Sequence, residues 1–222
     1  MKMVRHCAKY HDSFIAIFAD LLKSSPDVLD PLAGVGKLAL IRDHGYTGRI
    51  YLNELEPEWA WQAAGKVAGI TVLDARGLPY SGGFFSAICT SPTFGNRLAD
   101  HHNAKDDSKR SGYKFSLGRD LTTGNTGQMQ WGDEYRITHK AIWTECRRVL
   151  QDGGLFVLNM KDHYRKGKRI RVTLWHILCL RSLGFGLIEH RRMPTPSLRY
   201  GANSDKRIGY ESILVFRKEA RR

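Results

Sequence analysis

The stretch Asp27-Val28-Leu29-Asp30-Pro31-Leu32-Ala33-Gly34-Val35-Gly36 reads as a short apolar strand running into a glycine turn. Glycines two apart let the backbone turn sharply and approach whatever lies at the strand end. From Lys37 to His44 the residues predict a helix stopped near Gly45. Strand, tight turn and helix open a parallel α/β sheet, in which ligands gather at the carboxyl ends of the strands. Upstream, Phe14, Ile15, Ile17, Phe18, Leu21 and Leu22 recur at helical spacing behind Asp12 or Ser13 as N-cap, and Ser24-Ser25-Pro26 stops that helix.

Downstream the alternation continues. Arg49–Glu54 predicts a second strand, about Pro57 to Ala68 a helix, Ile70–Asp74 a third strand and Phe84–Cys89 a fourth. From Gly95 to about Arg136 no period holds, and an irregular connection of about forty residues is usually functional or mobile. A helix with Ile142, Cys146, Val149 and Leu150 on one face follows, closed by Asp152-Gly153-Gly154. Strand Leu155–Met160, helix Val172–Leu183 and strands Phe185–His190 and Glu211–Arg217 complete the pattern. The link between the last two carries Pro194 and Pro196 and is too short for a crossover helix, which predicts an antiparallel hairpin. The expectation is one α/β domain over 1–222, a doubly wound, seven-stranded, mostly parallel sheet with an insertion at about 95–136.

The formal net charge of +13, from 35 Lys and Arg against 22 Asp and Glu, exceeds what solubility needs and points to a polyanionic partner. The basic residues are not gathered on one amphipathic helix, which argues against a membrane surface. Cys7, Cys89, Cys146 and Cys179 are scattered without metal-ligand spacing, so they read as reduced, mostly buried thiols, and no metal is expected. Met1–His6 has no apolar h-region and no stretch approaches a membrane span; the expected location is the cytoplasm.

Acidic residues stand at three successive strand ends: Asp30, Glu54 and Asp74. Glu54, about twenty residues past the glycine turn, is placed to accept hydrogen bonds from ribose hydroxyls. Asp30 at the turn's mouth would repel a pyrophosphate and attract a cation. That favours the sulfonium and amino-acid tail of S-adenosylmethionine over a dinucleotide. The fourth strand delivers Thr90-Ser91-Pro92-Thr93-Phe94-Gly95-Asn96 to the same edge of the sheet.

These residues resemble a known family, the amino-directed S-adenosylmethionine-dependent DNA methyltransferases of the N4-cytosine and N6-adenine type. Asp30-Pro31-Leu32-Ala33-Gly34-Val35-Gly36 is similar to the family's D-P-F-A-G-x-G turn. Asn53-Glu54-Leu55-Glu56-Pro57 and Asp74-Ala75-Arg76-Gly77-Leu78-Pro79 are similar to its next two motifs, and Lys9-Tyr10-His11 with the Phe14 helix more loosely to the motif beside the methionine tail. Thr90-Ser91-Pro92-Thr93-Phe94 resembles its catalytic S-P-P-Y/F.

The resemblance implies a Rossmann-like class I methyltransferase fold. It implies a cofactor site at Asp30, Pro31, Ala33, Gly34, Gly36, Glu54, Asp74, Ala75 and Ser91, with Glu54 on the ribose and Asp74 near the adenine amino group. Ser91, Pro92, Thr93 and Phe94 become catalytic candidates. The serine form is commoner among N4-cytosine enzymes, so cytosine N4 is expected ahead of adenine N6. Thr93 stands where the family has a second proline, restoring a backbone N–H and loosening the chain. No cysteine follows a proline, which disfavours methylation at a ring carbon.

The partner is then DNA. Candidate contacts are Arg97, His101, Lys105, Lys109 and Arg110 in the insertion and Arg165, Lys166, Lys168 and Arg169 after the fifth strand. Two alternatives stay open: an RNA base-amine enzyme, since guanine-N2 methyltransferases resemble the same constellation, and a catalytically silent nucleic-acid-binding protein.

Overall fold

A computed structural model describes residues 6, 12–63, 67–95, 112–195 and 206–220. Strand β1 (Asp27–Asp30) is buried along its length between β2 (Arg49–Asn53) and β4 (Phe85–Thr90), both parallel to it. With β3 (Gly69–Thr71), β5 (Leu150–Met160), β8 (Phe185–Pro194) and β9 (Tyr210–Lys218), the described residues form a seven-stranded sheet of order β3-β2-β1-β4-β5-β9-β8. β9 runs antiparallel to both neighbours, which is the expected terminal hairpin. Strand order reverses between β1 and β4, so Asp30 and Thr90 flank the switch point at which such sheets take ligands.

Both faces of the sheet are covered, which is why its central strands read as unbroken apolar runs. Phe156, Leu158, Leu214 and Phe216 face α4 (Asp133–Val149) and α5 (Val172–Ser182), packing with Trp143, Cys146 and Leu180. Val157, Ile213 and Val215 point the other way, toward Phe14 and Phe18 of α1 (Asp12–Leu22) and Leu38 and Ile41 of the 3-10 helix Lys37–His44. Cys89, Cys146 and Cys179 are buried free thiols, and burial pushes all three up in pKa, away from the reactive thiolate. Cys7 lies outside the described residues.

Several local expectations change. Lys37–His44 winds as a 3-10 helix, because tight three-residue bonds already begin in the turn, from Gly36 N to Ala33 O and Ala39 N to Gly36 O. α2 is described over Pro57–Ala63, and Asp12 falls inside the first turn of α1. β3 ends at Thr71, because β2 stops at Asn53 and Glu54 turns off the sheet, its N–H bonding Thr71 O.

Leu150 is extended (φ −83°, ψ 136°) and begins β5, so Asp152-Gly153-Gly154 bulges within a strand instead of closing a helix. α4 starts at Asp133, earlier than its apolar face alone indicates. The basic run after β5 folds into a second small sheet, β6 (His163–Arg165) and β7 (Lys168–Ile170). Its two-residue turn has positive φ at both Lys166 and Gly167, the handedness that hairpins favour. β8 continues to Pro194, tolerated because β8 is an edge strand.

Candidate active site

Gly34 and Gly36 both have positive φ, as the turn after β1 requires. A Cβ on Gly36 would come within 2.3 Å of the Ala63 side chain, so this glycine lets α2 pack on the turn. Gly34 N–H donates to Glu54 Oε2 at 2.7 Å, and Glu54 Oε1 accepts from Glu56 N at 3.0 Å. Burial nevertheless dominates and raises the Glu54 carboxyl to about 7, against an ordinary 4.5. Asn53, also buried, bonds Pro31 O and Leu73 O through its amide and accepts from Thr71 Oγ1, stapling the turn to the loop after β3. Ala33 N–H closes the same junction on Asn53 O.

Gly34, Glu54, Asp74, Ala75, Ser91 and Thr93 line one cleft, closed on its far side by Gly124–Gly127. Asp74 chelates Arg76 through both carboxylate oxygens, at 3.0 and 2.6 Å, and the guanidinium holds its carboxyl below the ordinary range. Asp30 is outside the lining. It is 1% exposed and accepts from Thr90 Oγ1 at 2.6 Å and Leu32 N at 3.1 Å, tying β1 to β4 across the switch point. Pro31, Ala33, Gly36 and Pro92 are likewise not among the residues that line the cleft, and Phe94 packs half-buried against the core.

The far wall belongs to the second half of the insertion. A short helix, α3 (Tyr113–Leu117), places Tyr113 and Leu117 with Leu121 and Trp59 in a small apolar cluster of their own. Glu56, fully buried, accepts from Thr122 N at 2.7 Å, Thr122 Oγ1 at 3.0 Å, Asn125 Nδ2 at 2.7 Å and Arg119 Nη2 at 2.8 Å. One carboxylate thus fastens the strap 119–125 over the cleft. Sequence reading passed over Glu56, because its partners lie more than sixty residues away.

The loop after β4 is held from several directions. Thr93 Oγ1 donates to Thr126 O on the strap at 3.0 Å, and Thr93 O accepts from Tyr135 Oη at 2.6 Å. Gly95 O accepts from Trp131 N at 2.9 Å. Ser91 Oγ meets Asn159 Nδ2 at a long 3.5 Å, and that amide also donates to Glu211 Oε2 at 2.9 Å. Thr93 thus brings a tether of its own, since its hydroxyl bonds the strap where a proline has no donor.

Arg165 reaches Gly95 O at 3.4 Å, alongside this loop. Lys166 and Lys168 are exposed at the tip of the small hairpin. Arg169 pairs with Asp162 and with Tyr210 Oη, beside a cavity of about 330 Å³ also lined by Arg171, Arg192 and Ser212. Arg97, His101, Lys105, Lys109 and Arg110 lie outside the described residues. Among the described residues no helix is long and apolar enough to cross a membrane.

Solved structures share this fold at low identity. A SAM-dependent methyltransferase from Methanosarcina mazei is 12% identical with a TM-score of 0.58, the alignment covering 96% of this chain and 100% of that one. The Burkholderia thailandensis 1,6-didemethyltoxoflavin-N1-methyltransferase with bound S-adenosylhomocysteine is 17% identical (TM-score 0.52; 93% and 77% covered). The [4+2]-cyclase SpnF is 16% identical (TM-score 0.59; 95% and 81% covered), so the fold alone does not fix a reaction. No curated protein sequence matches the chain. A family model of the N6/N4 methyltransferase type, described as DNA methylase, matches residues 85–222, from β4 and its Ser91 loop through the terminal hairpin. That span is more than half of the sequence, and the chain belongs to this DNA methylase family.

Proposed function

We propose that this protein transfers a methyl group from S-adenosylmethionine to an exocyclic amino group of a DNA base, cytosine N4 ahead of adenine N6. The observation that carries the reading is that Ser91 and Thr93 of the family's catalytic loop line the same cleft as Glu54 and Asp74. The lining suits such a cofactor: two carboxylates face it as acceptors for hydroxyl and amino groups, and a Cβ on Gly34 would press within 3.1 Å of the His6 ring. The Nε1–H of Trp59, buried in the same lining, has no acceptor among the described residues. When bound, the cofactor supplies an electrophilic methyl group on a sulfonium.

The chain's own residues prepare the nucleophile. A base amine is unreactive while its lone pair is delocalised into the ring. In this reading Ser91 Oγ and the Pro92 carbonyl each accept a hydrogen bond from that amine, which pyramidalises the nitrogen and localises its lone pair. Asn159 approaches Ser91 Oγ as a donor, leaving the hydroxyl oxygen a lone pair for the base. A base within a duplex must be flipped out to arrive here. The basic residues along β6–β7 and beside Tyr210 lie at the same edge of the sheet and contact phosphates, positioning the strand without reading its sequence.

The test is radiolabelled methyl transfer to DNA and to RNA, followed by nucleoside analysis. Label at N4 of deoxycytidine, lost in Ser91→Ala with cofactor binding retained, is the expected result. Label confined to RNA moves the substrate class, and failure to bind S-adenosylmethionine overturns the enzyme reading.

A further inference from the structure

Behind the loop, in the core between α4 and α5, sits a polar cluster that the reaction does not use directly. Tyr135, His139, Trp143 and His176 are essentially inaccessible to solvent. Trp143 Nε1 lies 3.0 Å from His176 Nδ1, His176 Nε2 lies 3.0 Å from Tyr135 Oη, and Tyr135 Oη lies 2.6 Å from the Thr93 carbonyl. The indole N–H can only donate, so His176 Nδ1 must accept and the ring's proton sits on Nε2. Tyr135 Oη therefore accepts from His176, which leaves its single proton for Thr93 O. Every proton in the row is assigned by the one before it.

We infer that Trp143, His176 and Tyr135 form a one-directional hydrogen-bond chain whose last hydroxyl fixes the Thr93 carbonyl, making all three positioning residues for the Ser91–Phe94 loop. His139 clamps the chain from the side. Its ring stacks on Tyr135 with centroids 3.9 Å apart, and its Nδ1–H donates to Tyr135 O at 2.8 Å, which fixes the opposite tautomer. Burial keeps both rings neutral, so both ends of His176 hold their roles. Such an arrangement restores from the core the stiffness that a second proline would give locally, since Thr93 is held by its carbonyl here and by its hydroxyl on the strap.

The catalytic consequence rests on the reading under Proposed function; the structural one does not. The nitrogen-15 shifts of the imidazoles in the free protein test the chain directly. His176 is expected as the neutral Nε2–H tautomer and His139 as neutral Nδ1–H, and a charged or Nδ1–H His176 overturns the chain. Hydrogen exchange in the peptide covering 91–95 should quicken in Tyr135→Phe and in His176→Leu. It should stay near wild type in His176→Gln, whose amide still donates toward Tyr135.

In methyl transfer, the first two variants should lose about tenfold to a hundredfold in kcat, with the S-adenosylmethionine dissociation constant unchanged. Equal loss in His176→Gln and His176→Leu, or unchanged exchange in Tyr135→Phe, overturns the proposal. If Tyr135→Phe does not fold, the histidine pair and the tautomers still decide. A wild-type protein that transfers no methyl defeats the functional reading while exchange and tautomers still judge the chain.

Discussion

The two ends of the sheet's carboxyl edge hold their charges in opposite ways. On the β1–β3 side, the acids Asp30, Glu54 and Glu56 are each less than a tenth exposed and bonded to backbone N–H groups. On the β5–β9–β8 side, Lys166, Lys168, Arg171 and Arg192 stand in solvent. A buried, fully bonded charge acts through geometry, so losing it is costly and specific. An exposed charge acts through the field it adds, so its loss is small, additive and screened by salt. Under the proposed function, one side would hold a small molecule in a single pose and the other would attract a polymer in many.

The sharpest test of this contrast is Glu56 against Glu58, neighbours that share Arg119. Glu56→Ala strands several buried donors and should cost about 3–5 kcal/mol in urea unfolding, whereas Glu58→Ala, half in water, should cost under about 1 kcal/mol. Equal costs would erase the distinction. Next, Ser91→Ala should lower kcat by roughly a hundredfold to a thousandfold with cofactor affinity intact, because it removes an acceptor needed only as the amine reacts.

Glu54 gives a pH signature. Ligand hydroxyls prefer the ionised carboxylate, so affinity for S-adenosylmethionine should rise with pH up to about 7 and level off above. Below that point it falls by up to about tenfold per pH unit, and Glu54→Gln should flatten the profile. Stability should run the other way: a carboxyl raised by burial contributes fully below its unfolded pKa and loses that contribution as pH climbs through 7. The smallest effects belong to the basic side. Arg171→Gln and Arg192→Gln should each weaken DNA binding alike across sequences and lower the salt slope by about one, with cofactor affinity unmoved.

The sequence makes the sheet legible where strands are buried on both faces, as at Val28-Leu29, Phe156–Leu158 and Ile213–Phe216. The acidic side of the cleft is legible because Gly34, Glu54 and Asp74 follow strands whose order is already known. What stays hidden is which of several like residues turns inward. Glu54, Glu56 and Glu58 alternate with Leu55 and Pro57, and only the fold sends the first into the cleft, the second under the strap and the third outward.

Tyr135 and His176 escape for the same reason, being 41 residues apart on helices whose spacing merely says core. The β6–β7 hairpin escapes because charge dominates a run whose structural signal is one glycine, Gly167.

Thr93 has a consequence for inheritance. Proline stiffens a loop by restricting its own torsion and works in almost any surroundings. Threonine adds its own tether only while Thr126, 33 residues further along the chain, offers its carbonyl; the bond from Tyr135, 42 residues along, goes to a backbone carbonyl that a proline would also present. Substitutions at Thr93 and near Thr126 therefore cannot be scored singly. Thr93→Pro, which looks like a return to the family pattern, would untie the strap from the loop, and a change near Thr126 that is harmless beside a proline would not be harmless here.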